Sequence, residues 1–235
     1  MKHSGKIVIA LAALSLLITL FFYDSMPENL AIHWNIAGNA DGFGPKGIFA
    51  FVLPALAFIV PILMLFIPRL DPLRANIEKF RTSYDLFCIA ITAFLVYINA
   101  ISIYYNLGNA FSFTQFMAPA FGVLIFATGH MVGVAERNWF IGIRTPWTLS
   151  SEKVWKKTHK LGGKLFKAAG VITLIAIVLP AYGIFFVIVP VLVFTVYALV
   201  YSYQEYQKET SAKGKRSVRA ASNTKAQVRS KRKKK

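Results

Sequence analysis

Six long apolar segments, separated by shorter polar or basic loops, constrain the fold of this chain more than any other feature. An apolar run of about 20 residues is long enough to cross the hydrocarbon core of a bilayer as a helix. The composition agrees, because 56% of the residues are hydrophobic and only 16% are charged, against about 25% charged in a soluble domain. The sequence therefore predicts an all-α membrane protein with six transmembrane helices. The predicted spans are about residues 7–23, 48–67, 86–105, 116–135, 163–180 and 183–203.

The distribution of lysine and arginine tests the number of spans. Basic residues concentrate in the N-terminus, the second loop, the fourth loop and the C-terminal tail, whereas the first loop has only Lys46. With six spans, all the basic segments fall on one side of the membrane, which the positive-inside rule makes the cytoplasmic side. The N and C termini are therefore predicted to be cytoplasmic, in a multi-pass protein of the cell (inner) membrane.

The C-terminal tail, residues 208–235, differs from the rest of the chain. It holds 12 of the 27 Lys and Arg and a single acidic residue, Glu209. Such a composition buries too little apolar surface to fold alone, so a disordered polybasic cytoplasmic tail is predicted after a membrane domain of residues 1–207. Three roles are open for it: fixing the topology, contact with anionic lipids, and contact with nucleic acid or the ribosome. Nucleic acid is the least favoured, because charge alone is unspecific.

The first outer loop, residues 24–47, is rich in glycine, asparagine and aspartate. Pro27 followed by Glu28 predicts a short helix through His33, because proline and an acidic residue suit a first helical turn. A tryptophan at this position is typical of the membrane surface. Two interpretations stand: a surface that recognises an extracellular molecule, or a folded turn with an interfacial tryptophan. The recognition candidates are His33, Trp34, Asn35 and Asp41.

The loop between the fourth and fifth spans carries three of the four tryptophans and a run of lysines. Ser150 is predicted to cap a helix that has Glu152 in its first turn and ends at Gly162-Gly163. With an aromatic side and a lysine side, it is predicted to be an amphipathic interfacial helix on the cytoplasmic leaflet. Arg144 has three possible partners: a lipid phosphate, a carboxylate of another protein, or helix-end carbonyls of this protein. The candidates in this loop are Asn138, Trp139, Arg144, Thr145, Pro146, Trp147, Trp155 and His159.

No motif for catalysis, a metal or another cofactor is found. The four histidines are dispersed along the chain, and Cys88 lies in an apolar run that suits a packing role. The apolar cores of the spans contain no Asp or Glu, which ion-coupled carriers usually need. The protein is therefore not expected to be an enzyme. A transporter or exporter of small amphiphilic molecules, with Asn99 in its pathway, is the alternative, together with a membrane-bound sensor scaffold.

Two runs of residues resemble known families. Residues 27–38, PENLAIHWNIAG, followed by Asp41, resemble an N-terminal module of uncharacterised function in bacterial membrane proteins. Residues 138–149, NWFIGIRTPWTL, with Trp155, His159 and Gly162, resemble the C-terminal signature of SdpI-type immunity proteins. The resemblance covers about residues 5–207. It implies a polytopic inner-membrane protein that protects its cell against a secreted peptide toxin, and that can hold a cytoplasmic transcriptional repressor at the membrane.

Overall fold

The computed structural model describes residues 2–35, 38–109 and 111–232. Part of the first motif, Ile36 and Ala37, and the end of the predicted tail lie outside these residues. Within them, five helices are long and apolar enough to cross a membrane, which confirms a largely helical, multi-pass membrane protein. They coincide with predicted spans one to four and six: Ser4–Ser25, Lys46–Leu70, Arg81–Asn106, Gln115–Val134 and Pro180–Gly214.

The six long helices form two groups of three. In chain order, the elements are α1 Lys2–Phe22, β1 Asn29–Trp34, β2 Ala40–Pro45, α2 Lys46–Leu70, α3 Arg74–Glu78, α4 Arg81–Asn106, α5 Phe113–Val134, α6 Pro146–Ser150, α7 Glu152–Thr173 and α8 Gly183–Arg232. The first group contains α1, α2 and α4, the second contains α5, α7 and α8, and the contact between α4 and α5 joins them. A two-stranded hairpin follows α1, and the short helices α3 and α6 lie in the loops at the other end of the bundle.

Polar and proline residues inside the first group serve packing. Pro54 and Pro61 of α2 are buried, as expected for a proline face that needs neighbouring helices to cover the freed carbonyls. The Asn99 amide of α4 donates to the carbonyl of Ser15 at 3.1 Å and to the hydroxyl of Thr19 at 2.9 Å. Such hydrogen bonds between helices are a common use of polar residues in membranes. Asn99 therefore joins α4 to α1, and its contacts do not require a transport pathway.

The outer loop forms a β-hairpin, so the predicted helix from Pro27 to His33 is wrong. Strand β1 pairs with β2 in antiparallel register, with a bulge near His33. The Asn106 side chain at the end of α4 accepts from the Ala31 N–H at 2.7 Å and donates to the Ala31 carbonyl at 3.2 Å, as a third strand would. The local helix signals of proline and glutamate are overridden because β2 and Asn106 satisfy the backbone of this segment.

The predicted interfacial helix does not end at Gly162-Gly163, which is a second correction. Helix α7 continues through both glycines to Thr173 and packs antiparallel against α5. A Cβ atom on Gly163 would lie 2.5 Å from the Cα of Gly133, and one on Gly129 would lie 2.5 Å from the backbone nitrogen of Lys167. The glycines are therefore sites where two backbones touch, as in other membrane helix pairs, rather than a C-cap.

Helix α8 continues past residue 208 to Arg232 as one helix, whereas the disorder of residues 208–235 on their own stays a prediction. The ion pairs Lys208–Glu205 and Lys213–Glu209, both 2.8 Å long, connect successive turns where the tail begins. A helix already formed by the preceding apolar segment can be extended without the cost of nucleation. Alanine, lysine, arginine and glutamine also have good helix propensity. Contact of this tail with anionic lipids stays a prediction.

Candidate functional site

A cavity of about 820 Å³ lies between the hairpin and the neighbouring ends of α2, α4, α5 and α8. All four recognition candidates of the outer loop line it, namely His33, Trp34, Asn35 and Asp41. Its volume falls in the range of about 300–1,000 Å³ that is usual for ligand pockets. The structure thus brings together on one cavity the residues that the sequence analysis selected from this loop.

The rim of this cavity is polar. The Nδ1 atom of His33 lies 2.5 Å from an Asp41 carboxylate oxygen, and the two side chains are 71% and 43% exposed. An exposed pair of this kind contributes only about 0–1 kcal/mol to the free energy of unfolding. The pair therefore adds little to the stability of the fold. Asn35 turns the chain between the strands, since its side chain accepts from the Asn39 N–H at 3.1 Å. The rim therefore presents an imidazole and a carboxylate to solvent.

The interior of the cavity is apolar, and four helices build it. Trp34 at the boundary packs edge-on against Tyr105, with ring centroids 5.3 Å apart. A ligand that fits must combine apolar groups for the interior with polar or charged groups for the rim. The apolar lining residues from the helices are Phe49, Val52 and Leu53 of α2, Ile98 of α4, Met117, Ala118 and Phe121 of α5, and Ile184 and Val187 of α8, and β1 adds Leu30, Ala31 and Ile32.

The inner-loop candidates form a separate site at the far end of α2, a helix of 25 residues and so roughly 37 Å long. We call the loop from Asn138 to Ser150, together with Trp155 and His159 of α7 and the loop after α2 that contacts it, the inner junction. Asn138 is its first residue, and its side chain is fully buried. Its Oδ1 accepts from the N–H groups of Phe140 and Ile141 at 2.9 and 2.6 Å. Its amide donates to the carbonyls of Glu136 and Ile141 at 2.8 and 2.9 Å. One asparagine thus satisfies the backbone of a tight turn, which explains its place in the motif.

Trp155 and His159 form the core of the inner junction. Their rings stack with centroids 3.9 Å apart, which confirms that they share a face of α7. The Trp155 indole donates to the Ala135 carbonyl at 2.7 Å. His159 Nε2 accepts from the Ile143 N–H at 3.0 Å, and its Nδ1 is 2.9 Å from the Trp155 carbonyl. This aromatic face is buried by the loop, so the prediction that it lies on the lipid surface is wrong.

Gly142 allows the loop to approach His159 this closely. Its φ is +110°, a region that favours glycine. A Cβ atom there would lie 2.4 Å from His159 Nε2. The neighbouring residue, Ile143, is the one whose N–H reaches the imidazole. The glycine of the GIR sequence is therefore explained by the loop conformation and by the histidine together.

The remaining residues of the motif close the junction against α8. Thr145 and Thr148 cap each other at the start of α6, with Pro146 in its first turn. The Thr145 hydroxyl lies 3.2 Å from that of Ser202, and the Trp147 and Tyr203 rings are 5.1 Å apart. These contacts hold the loop to the last helix.

Two more predictions for this loop, the helix cap at Ser150 and the partner of Arg144, can be compared with the structure. The N-cap of α7 is Ser151, which accepts from the Val154 N–H at 3.3 Å, so the predicted cap at Ser150 is displaced by one residue because Ser150 ends α6. Arg144 is exposed and donates to the Trp139 carbonyl at 2.8 Å. Among the three predicted partners, this is the one within the protein itself.

Asp71 is the residue of the inner junction that the sequence analysis missed. It is buried in the loop after α2, where Oδ1 accepts from the Leu73 N–H at 2.6 Å and Oδ2 from the Trp139 N–H at 2.8 Å. An aspartate followed by proline at the end of a span was the available signal, but only for a local turn. Its partner Trp139 is 68 positions away.

We expect Asp71→Asn to lower the free energy of unfolding by about 2 kcal/mol, because hydrogen bonds to a charged acceptor are worth about 1.5–3 kcal/mol. The amide keeps the shape of the side chain but can accept only one of the two N–H groups. Unfolding of the purified protein in detergent, compared with Glu78→Gln at an exposed position of the same segment, measures the effect. Equal stability of the two variants would contradict the role given to Asp71.

Two segments of the chain match known protein families, one in each of the two sites described above. Residues 134–202 match the SdpI/YfhL protein family, and residues 10–58 match a domain of unknown function, DUF1648. The chain is 35% identical over 88 residues to the Immunity protein SdpI of Bacillus subtilis (strain 168), over 37% of this chain and 42% of the relative. The matched region thus spans less than half of that relative. No solved structure matches the chain.

The first matched segment contains the junction residues from Asn138 to His159, and the second contains His33 and Trp34 of the cavity beneath the hairpin. The resemblance to SdpI-type proteins is therefore confirmed, and the chain carries the SdpI/YfhL family region.

Proposed function

We propose that this SdpI-type membrane protein confers immunity by binding an amphipathic secreted peptide in the outer cavity, without catalytic turnover. The observation that carries the proposal is the convergence of His33, Trp34, Asn35 and Asp41 on one cavity with a polar rim and an apolar interior. A peptide that acts on membranes combines apolar and charged groups, and such a site complements both. The similar protein named an immunity protein supports the same function.

The proposal places the cavity on the outer side of the cell membrane and both termini in the cytoplasm. Residues 163–180 are not among the five apolar candidate helices, yet this segment follows α5 along its length. Gly162 lies beside Val132 at one end, and the Gln115 amide donates to the Ile177 carbonyl at 2.8 Å at the other. A segment that accompanies a spanning helix from end to end supports a sixth crossing, with its lysines at the cytoplasmic surface.

Filling the cavity is expected to weaken protection strongly. In a sensitive bacterium that expresses the chain, we expect Ser102→Trp, which adds a ring to the wall of the cavity, to raise sensitivity to the cognate peptide by tenfold or more. His33→Ala, at the rim, is expected to have a smaller effect. A tenfold loss corresponds to about 1.4 kcal/mol of binding free energy. Survival is measured against peptide concentration at matched membrane expression.

The matched control is Phe43→Ala, on the same hairpin and exposed but outside the cavity lining. It should protect as well as the wild type. Equal killing with and without the wild-type protein, across the candidate peptides, would contradict the immunity proposal. Full protection by Ser102→Trp would leave immunity standing but remove the cavity as its site.

Contact with a cytoplasmic repressor, the second role implied by the resemblance, would use the exposed edge of the inner junction. Trp139 and Phe140 are exposed there beside Arg144, whereas Trp147, Trp155 and His159 are more deeply packed. We propose this edge as the surface that a soluble partner would contact when the cavity is occupied. Arg144→Ala should then preserve protection while removing any transcriptional response to the peptide.

A further inference from the structure

A second cavity, of about 570 Å³, lies at the opposite end of the first helix group, between α1, α2 and the segment that contains α3. Its walls are apolar, and its rim carries three arginines. We call it the arginine groove. The lining residues are Gly5 and Ile9 of α1, Ile62, Leu65, Phe66, Pro68 and Arg69 of α2, and Arg74, Ala75, Glu78 and Arg81 beyond α2.

Among the residues that the structure describes, Arg81 is the one arginine of the groove with an acidic partner. Arg81 forms ion pairs with Asp85 at 2.6 Å and with Glu78 at 3.5 Å. Arg69 and Arg74 form no ion pair with any residue that the structure describes, and both are exposed. The Arg69 guanidinium lies 5.0 Å from the centre of the Phe66 ring, which holds it at the border between the apolar wall and the rim. Two uncompensated guanidinium groups therefore face the mouth of the groove.

The apolar walls belong to helices that are candidate membrane spans. Ile9 and Phe66 are 55% and 50% exposed, which suits side chains in contact with acyl chains. The groove is open above Gly5, since a Cβ atom on that residue would meet nothing within 4 Å. The arrangement thus offers a phosphate site at the membrane surface, continuous with an apolar channel along two helices.

We propose that the arginine groove binds one anionic phospholipid, with its phosphate between Arg69 and Arg74 and an acyl chain along Ile9 and Phe66. Guanidinium groups bind phosphate oxygens through paired N–H donors, which makes arginine suited to this headgroup. The volume and the apolar walls favour a lipid over a free phosphate ion. The site is distinct from the outer cavity and does not depend on the proposed immunity function.

The test uses the purified full-length chain in detergent with added phosphatidylglycerol or phosphatidylcholine of the same acyl length, and native mass spectrometry counts bound lipids. We expect one tightly bound phosphatidylglycerol in the wild type. Since each basic residue near a membrane contributes about 1 kcal/mol of attraction to anionic lipid, the Arg69→Gln, Arg74→Gln double variant should bind it about 30-fold more weakly. Its affinity for phosphatidylcholine should not change.

Two variants separate the groove from general surface charge. Lys79→Gln removes one positive charge from the same segment outside the groove, and it should bind phosphatidylglycerol like the wild type. Gly5→Leu keeps every charge but fills the groove, and it should weaken binding of phosphatidylglycerol even if the double variant does not fold. Wild-type binding by Gly5→Leu, an equal loss in Lys79→Gln, or full competition by inorganic phosphate would each overturn the proposal.

Discussion

Gly163→Ala is expected to lower the free energy of unfolding by about 3 kcal/mol, whereas Gly133→Ala, on the other side of the same contact, is expected to be nearly neutral. The added methyl on Gly163 would lie 2.5 Å from the Gly133 Cα and 2.9 Å from the Gly129 carbonyl oxygen. These are backbone atoms of a packed helix, which cannot move aside as a side chain can. Overpacking of this kind typically costs about 1–3 kcal/mol, occasionally more.

The control changes the same pair of helices by the same methyl group. A Cβ atom on Gly133 has its nearest neighbour, the Gly163 Cα, at 3.5 Å, which is ordinary van der Waals contact. Alanine also has a higher helix propensity than glycine by about 1 kcal/mol. Unfolding in mixed micelles of mild detergent and sodium dodecyl sulfate would measure both variants. If Gly163→Ala unfolds like Gly133→Ala, α5 and α7 do not pack through this glycine contact.

This contact also shows where sequence reasoning succeeds and where it stops. Apolar runs predicted five of the helices, because the requirement to cross a bilayer is written in each segment by itself. Gly162-Gly163 gave the wrong end for α7, because a glycine pair has the same local appearance as a C-cap and as a site for close helix packing. What distinguishes them is Gly133, about 30 positions earlier in the chain.

At the cavity and at the inner junction, too, the sequence predicted residues with a local pattern and missed those that depend on distant partners. The sequence selected His33 and Asp41, which line the cavity, because polar residues in a structured outer loop are conspicuous. It did not predict the hairpin that positions them, since Asn106, which binds β1, lies at the far end of another helix. Asp71 was missed for the same reason. Residues that act through distant partners carry no local pattern by which to find them.

The stability of the protein is expected to fall by up to about 3 kcal/mol as the pH is lowered from 6.5 to 4, because of His159. This residue lies in the part of α7 before the predicted fifth span and is 1% exposed. Burial lowers its pKa from the usual 6.5 to about 4, although the contact with the Trp155 carbonyl opposes the shift. The hydrogen bonds agree, since Nε2 must be unprotonated to accept from the Ile143 N–H.

The sign follows from which state takes up the proton. Above pH 6.5 His159 is neutral in both the folded and the unfolded chain, and its full contribution to stability is present. Between pH 6.5 and 4 only the unfolded chain binds a proton, so stability falls by about 1.4 kcal/mol for each pH unit. Below pH 4 both states are protonated and the loss levels off. The shift from 6.5 to about 4 sets the total near 3 kcal/mol.

The replacement that isolates this effect is His159→Phe, which keeps an aromatic ring against Trp155 but cannot titrate. At pH 7.5 it should already be less stable than the wild type by about 2 kcal/mol, because the buried Ile143 N–H loses its acceptor. Between pH 6.5 and 4 the gap should close and then reverse by about 1 kcal/mol, since only the wild type loses the contribution of the histidine. A gap between wild type and His159→Phe that stays constant over this range would show that His159 is not held neutral in the folded protein, and that the loop does not rest on its Nε2.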